Sequence, residues 1–190
     1  MKHSTGRVGA WRGVVAAVAG GLVLAAAAPV VRAAPALSVT QRLQRLEDTK
    51  EIHDLLIRYG LLLDSRDYKG YAALFAKDGV WIGGFGTHRG PAGIEAMLEK
   101  YMGPAVPGTR NTSNFHLLTN EVIEVDGNHA RAVSKLIFYV KGPEGRPVPQ
   151  MAGHYDDEFV REEGHWKFSR RVVQGDIPFS DSLAPPKPAE

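Results

Sequence analysis

Apolar positions along the chain follow a helical period first and an alternating one later. From Leu46 to Asp67, Ile52, Leu55, Leu56, Tyr59, Leu62 and Leu63 recur at three- and four-residue spacing, which predicts one long helix with a single apolar stripe. Ser38 and Gln41, three residues apart, suit a capping box that starts this helix or a lead-in to it. A second helix is expected over residues 68–76, with Tyr71, Leu74 and Phe75 on one side. A third begins at Gly90-Pro91, carries Ile94, Met97, Leu98 and Tyr101, and stops at Gly103. Between them Val80-Trp81-Ile82 reads as a short strand, and Gly83-Gly84-Phe85-Gly86 as a bend or bulge in it. Residues 103–113 form a loop rich in Pro and Gly, of a length often used for lids. From residue 114 the pattern alternates. It predicts strands over 114–125, 129–141, 151–161 and 165–174, linked by an Asp-Gly-Asn turn, a loop over 142–149 and a Glu-Glu-Gly turn. Helices followed by a meander make an α+β fold: a curved antiparallel sheet wrapped around the long N-terminal helix, with a pocket between them.

The first 36 residues follow another pattern. Lys2, Arg7 and Arg12 precede an uncharged stretch rich in Ala, Val and Leu, and small residues around Val31-Arg32-Ala33 and Ala34-Pro35-Ala36 suit cleavage. This reads as a signal peptide over residues 1–36, ahead of one domain over 37–178 and a proline-rich tail over 179–190. The expected location is periplasmic or secreted, with no membrane attachment once the leader is removed. The leader also changes the charge. The whole chain is +2, but without Lys2, Arg7, Arg12 and Arg32 it holds 19 basic and 21 acidic residues, a net of −2. The basic balance is therefore an export signal, and nucleic acid is not an expected partner. The absence of cysteine excludes disulfides, thiolate nucleophiles and cysteine-bound zinc.

Two residues stand out chemically. Asp64 closes the long helix, where the negative end of the dipole disfavours an anion. Alone, it reads rather as the cap of the turn Asp64-Ser65-Arg66-Asp67. His116 begins the first long strand and alternates with Leu118, Asn120 and Val122; alone, it reads rather as a core histidine. If the two meet, the carboxylate fixes the imidazole tautomer, as an orienting acid does for a general base. His53 and His88 read as surface residues. The glycine run lacks the spacing of a phosphate loop and the sequence shows no metal-ligand cluster, so no cofactor and no metal are expected.

Several stretches together resemble the SnoaL-like families of the nuclear transport factor 2-like superfamily, whose fold is a cystatin-like α+β cone. They are Tyr59 with Leu63-Asp64-Ser-Arg-Asp67-Tyr68, Leu74-Phe75-Ala-Lys-Asp78-Gly79-Val80-Trp81, Arg89-Gly90 and His116-Leu-Leu-Thr-Asn120, then Val125-Asp-Gly127, Gly153-His-Tyr155-Asp-Asp157 and Gly164-His-Trp166-Lys-Phe168. The resemblance spans residues 46–175. It implies a small-molecule pocket and a homodimer formed through the outer sheet face. Similarity to the scytalone dehydratase branch implies catalytic roles for Asp64 and His116. That branch has a tyrosine where this chain has Leu63, and a second histidine near Ser134 and Lys135. Similarity to the ketosteroid isomerase branch implies an oxyanion donor at Tyr59 and an acid at Asp156 or Asp157. Its general-base aspartate falls near Ile82 and Gly83 and is missing. The function so implied is a cofactor-independent dehydratase or isomerase that moves protons on a small carbonyl-containing, apolar or aromatic substrate. A non-catalytic binding module of the same fold is the other reading. The catalytic set is Asp64, His116 and Tyr59. The substrate-binding set is His154, Asp156, Trp81, Phe85, Asn120 and Tyr101. Which face of strand 151–161 lines the pocket stays open, since Phe159 favours the face opposite His154 and Asp156.

Overall fold

The computed structural model describes residues 37–177, apart from 107, 109 and 110. The expected leader (1–36) and tail (179–190) lie outside the described residues, as does part of the loop over 103–113. Among the described residues no helix is long and apolar enough to cross a membrane.

Helix α1 (Val39–Asp64) starts at the Ser38–Gln41 capping box and buries Ile52, Leu55, Leu56, Tyr59, Gly60 and Leu63. The short helix α2 (Tyr68–Ala72) follows, N-capped by Asp67, whose Oδ1 accepts the Gly70 N–H at 2.9 Å. Helix α2 is shorter than expected because Phe75 already belongs to strand β1 (Phe75–Gly83). The glycine run is a hairpin, with Gly83 paired to Gly86, which turns the chain into β2 (Gly86–Arg89). Helix α3 (Gly90–Met102) comes next, then four long strands: β3 (Asn114–Asp126), β4 (His129–Lys141), β5 (Pro147–Glu162) and β6 (His165–Ile177).

The fold is the α+β class expected, with one sheet ordered β2-β1-β6-β5-β4-β3. The four-strand meander is part of a larger mixed sheet, because β1 pairs in parallel with β6. Such a pairing joins the two ends of the domain, and no local pattern announces it. Helix α1 packs against the sheet, chiefly on β3. The core between them is aromatic: Tyr59, Tyr71, Tyr155, Phe159, Phe168 and Trp166 are almost wholly buried. Strand β3 is a free edge, and its alternation breaks at a bulge between Thr119 and Val122.

Candidate functional site

The chain turns sharply after Asp64. Arg66 takes φ +57°, and the Asp67 N–H returns to the Leu62 carbonyl at 3.0 Å. The capping work here falls to Asp67, which leaves the Asp64 carboxylate free to reach across to β3. Its Oδ1 lies 2.7 Å from His116 Nδ1, and its Oδ2 accepts the His116 backbone N–H at 3.0 Å. That N–H is available because β3 is an edge strand with no neighbour on its outer side. No basic residue lies in the last turn of α1, so the charge that the dipole disfavours is met by His116 instead. With Nδ1 donating to the carboxylate, Nε2 keeps its lone pair and can act as a base. The imidazole also packs against Phe138, with ring centres 4.6 Å apart.

This pair lines a cavity of about 190 Å³ between α1 and β3, together with Gly60, Leu56, Leu118 and Ser134. Gly60 faces β3, where a Cβ would make ordinary contact with Leu118 Cδ1 at 3.4 Å. Ser134 Oγ is buried and has no hydrogen-bond partner among the described residues.

Tyr59 does not join the pair. It stands five residues before Asp64, about 140° round the helix. Its hydroxyl points into the core, where it accepts Trp81 Nε1 at 3.3 Å. Trp81 is thereby a buried partner of Tyr59 and, like it, does not line the cavity. Phe85 and Tyr101 stack on each other at 4.5 Å, away from the cavity and half-exposed. Asn120 is the bulged residue, at φ +54°, and points to solvent. The bulge reverses the alternation, so Val122 is outward and Glu121 inward-facing instead.

The open choice on β5 resolves toward Tyr155, Asp157 and Phe159, which face the core. His154 and Asp156 lie on the outer face. There His154 pairs with Asp176 at 2.5 Å, and Asp156 accepts Gln174 Nε2 at 2.8 Å. Asp157 meets a group the sequence reading missed, Arg171, whose Nε lies 3.1 Å from Asp157 Oδ1. The guanidinium sits 3.7 Å from the ring centres of both Tyr59 and Tyr155. Burial pushes the Asp157 carboxyl up to about 7, against the opposing pull of Arg171. The facing alternations of β5 and β6 hold the only signal for this pair, and it becomes readable once their register is known.

An α+β fold with an acid-held histidine at the rim of a small cavity defines a class: a small-molecule-binding pocket protein. The chain belongs to the SnoaL-like domain family, whose pattern it matches over residues 44–172. It is 28% identical over 131 residues to a gamma-hexachlorocyclohexane dehydrochlorinase from Sphingobium indicum, covering 68% of this chain and 81% of that one. It resembles in structure an NTF2-like protein with a cystatin-like fold from Novosphingobium aromaticivorans, at TM-score 0.65 and 27% identity, over 76% of this chain and 94% of the other. A candidate scytalone dehydratase from the same organism shares the fold at TM-score 0.58 and 22% identity, over 72% and 89% of the two chains.

Proposed function

We propose that the protein is a cofactor-independent lyase, in which His116, oriented by Asp64, removes a proton from carbon so that a group on the neighbouring carbon departs. The observation that carries this reading is the double hold of Asp64 on His116 at the wall of a cavity. In the step, Nε2 takes the proton, the C–H electron pair becomes the new double bond, and the leaving group takes its own bonding pair. The Asp64 carboxylate stabilises the imidazolium that forms. Where hydroxide leaves, the imidazolium can return the proton to it as water. Similarity to a dehydrochlorinase supports elimination over isomerisation, because dehydration and dehydrochlorination share this step.

The test is a survey of eliminations. Chloride release is followed from gamma-hexachlorocyclohexane, and water loss from small aryl β-hydroxy ketones. Acceleration by the parent protein, lost in His116→Ala, is the expected result. A binding module is the second reading, favoured by the withdrawal of Tyr59 from the cavity. Binding of these compounds without turnover in any member of the panel would select it. The reading includes export and pairing of two chains; intact-mass measurement from the native host, showing a start near Ala34 or Leu37, checks the export.

A further inference from the structure

The face of α1 that carries Asp64 carries a second titratable residue. His53 stands eleven residues earlier, which returns to within about 20° of the same direction and lies about 16 Å along the axis. Its Nδ1 is 2.6 Å from Glu121 Oε1, and both residues line the cavity that holds Asp64 and His116. Glu121 reaches His53 only through the bulge in β3. In an unbroken strand, His116 and Leu118 would share their face with residue 120, and residue 121 would point outward. The extra residue, Asn120, reverses that parity and turns Glu121 toward α1. A bulge interrupts the ladder, and such features commonly serve to re-aim a side chain. Leu56, Ile57 and Leu118 supply apolar wall to the cavity. The cavity thus has an acid-held imidazole at each end and apolar surface between.

The geometry points to His53 and Glu121 as a second binding station, which takes a hydroxyl group at the far end of an elongated, mainly apolar substrate whose reacting carbon lies at His116. The inference rests on the reading of this cavity as the substrate site. A hydroxyl both donates and accepts. It therefore suits the free Nε2 of His53 whether that atom carries a proton or a lone pair, with Glu121 holding the other ring nitrogen. Glu121 acts as a positioning residue: it fixes which ring atom faces the ligand.

Two soluble probes differ only in that group: 4-(4-hydroxyphenyl)-2-butanone and 4-phenyl-2-butanone. Each is titrated into the protein while the ring C–H signals of His53 and His116 are followed by NMR. The hydroxylated probe is expected to bind about tenfold tighter, equivalent to about 1.4 kcal/mol, and to shift both histidines. In His53→Leu that preference is expected to fall to within about twofold of unity, the scale of losing one hydrogen bond. Glu121→Gln, which keeps shape and fold, is expected to reduce it as well. Equal affinities for the two probes, or a preference that survives both variants, would overturn the second station. If His116 still shifts in that case, the cavity reading stands. No shift at either histidine would overturn the station and the cavity reading together.

Discussion

Asp64 holds His116 through both of its oxygens, one on the ring and one on the main chain. The ring contact is 2.7 Å and the backbone contact 3.0 Å. A side-chain rotation of the histidine would break the first and leave the second, so the backbone anchor keeps the imidazole close to the carboxylate. Helix end and edge strand thus specify each other. An acid at the unfavourable end of a helix is stabilised by an edge strand, which has spare backbone donors.

Tyr59 is expected to matter for stability and little for rate. Tyr59→Phe leaves the buried Trp81 Nε1 without its acceptor, at a cost of about 1–3 kcal/mol. Chemical denaturation gives that loss. The rate of elimination should stay near that of the parent, and a large fall in kcat with unchanged stability would return Tyr59 to the catalytic group.

Acid is expected to weaken the fold through Asp48. This buried carboxylate accepts Gln44 Nε2 at 3.0 Å and Trp166 Nε1 at 3.3 Å and pairs with Arg161. Burial pushes its carboxyl up. The hydrogen bonds from Gln44, Arg161 and Trp166, with the Arg161 charge, outweigh this and hold it below its usual 3.8. A lowered folded value means stability that is present above the unfolded value and lost as pH falls through the folded one. Tm should therefore decline below about pH 4. Asp48→Asn should lower Tm at pH 7 by several degrees, from loss of about 2 kcal/mol, and flatten the acid decline. A variant curve parallel to that of the parent would contradict this assignment.

The outer sheet face is expected to pair two chains. Phe115, Leu117 and Val133 are each more than 40% exposed, and Phe115 stacks on Tyr139 at 4.8 Å. Sedimentation at micromolar concentration should give the mass of two chains, and Leu117→Glu should shift it toward one. A monomeric parent protein counts against pairing.

The Asp64–His116 contact was legible in the sequence because each residue sits at the end of an element with an unmistakable period. The helical stripe runs up to Asp64, and His116 opens the alternation of β3. Tyr59 was misplaced for a reason that spacing could have shown, since five helical residues separate side chains by about 140°. The same count places His53 in line with Asp64, although it read as a surface residue. The β3 bulge had no such signal. Thr119, Asn120 and Glu121 carry neither glycine nor proline, and the broken parity appears only when the strand is paired with β4. Arg171 and Asp157 were hidden likewise, because their meeting depends on the register of β5 with β6. The parallel pairing of β1 with β6 joins segments too distant for any local pattern to link.

The most direct test is a double-mutant cycle on the pair, read as kcat/KM on whichever substrate the survey of eliminations selects. Asp64→Asn removes the charge with little change in shape, and His116→Ala removes the base. Each is expected to lower the rate by about a hundredfold or more. The double variant should be scarcely worse than His116→Ala, because residues that act as one unit are not additive. Asp64→Asn with nearly parental activity, or two losses that simply multiply, would contradict an Asp64-oriented His116 as the base.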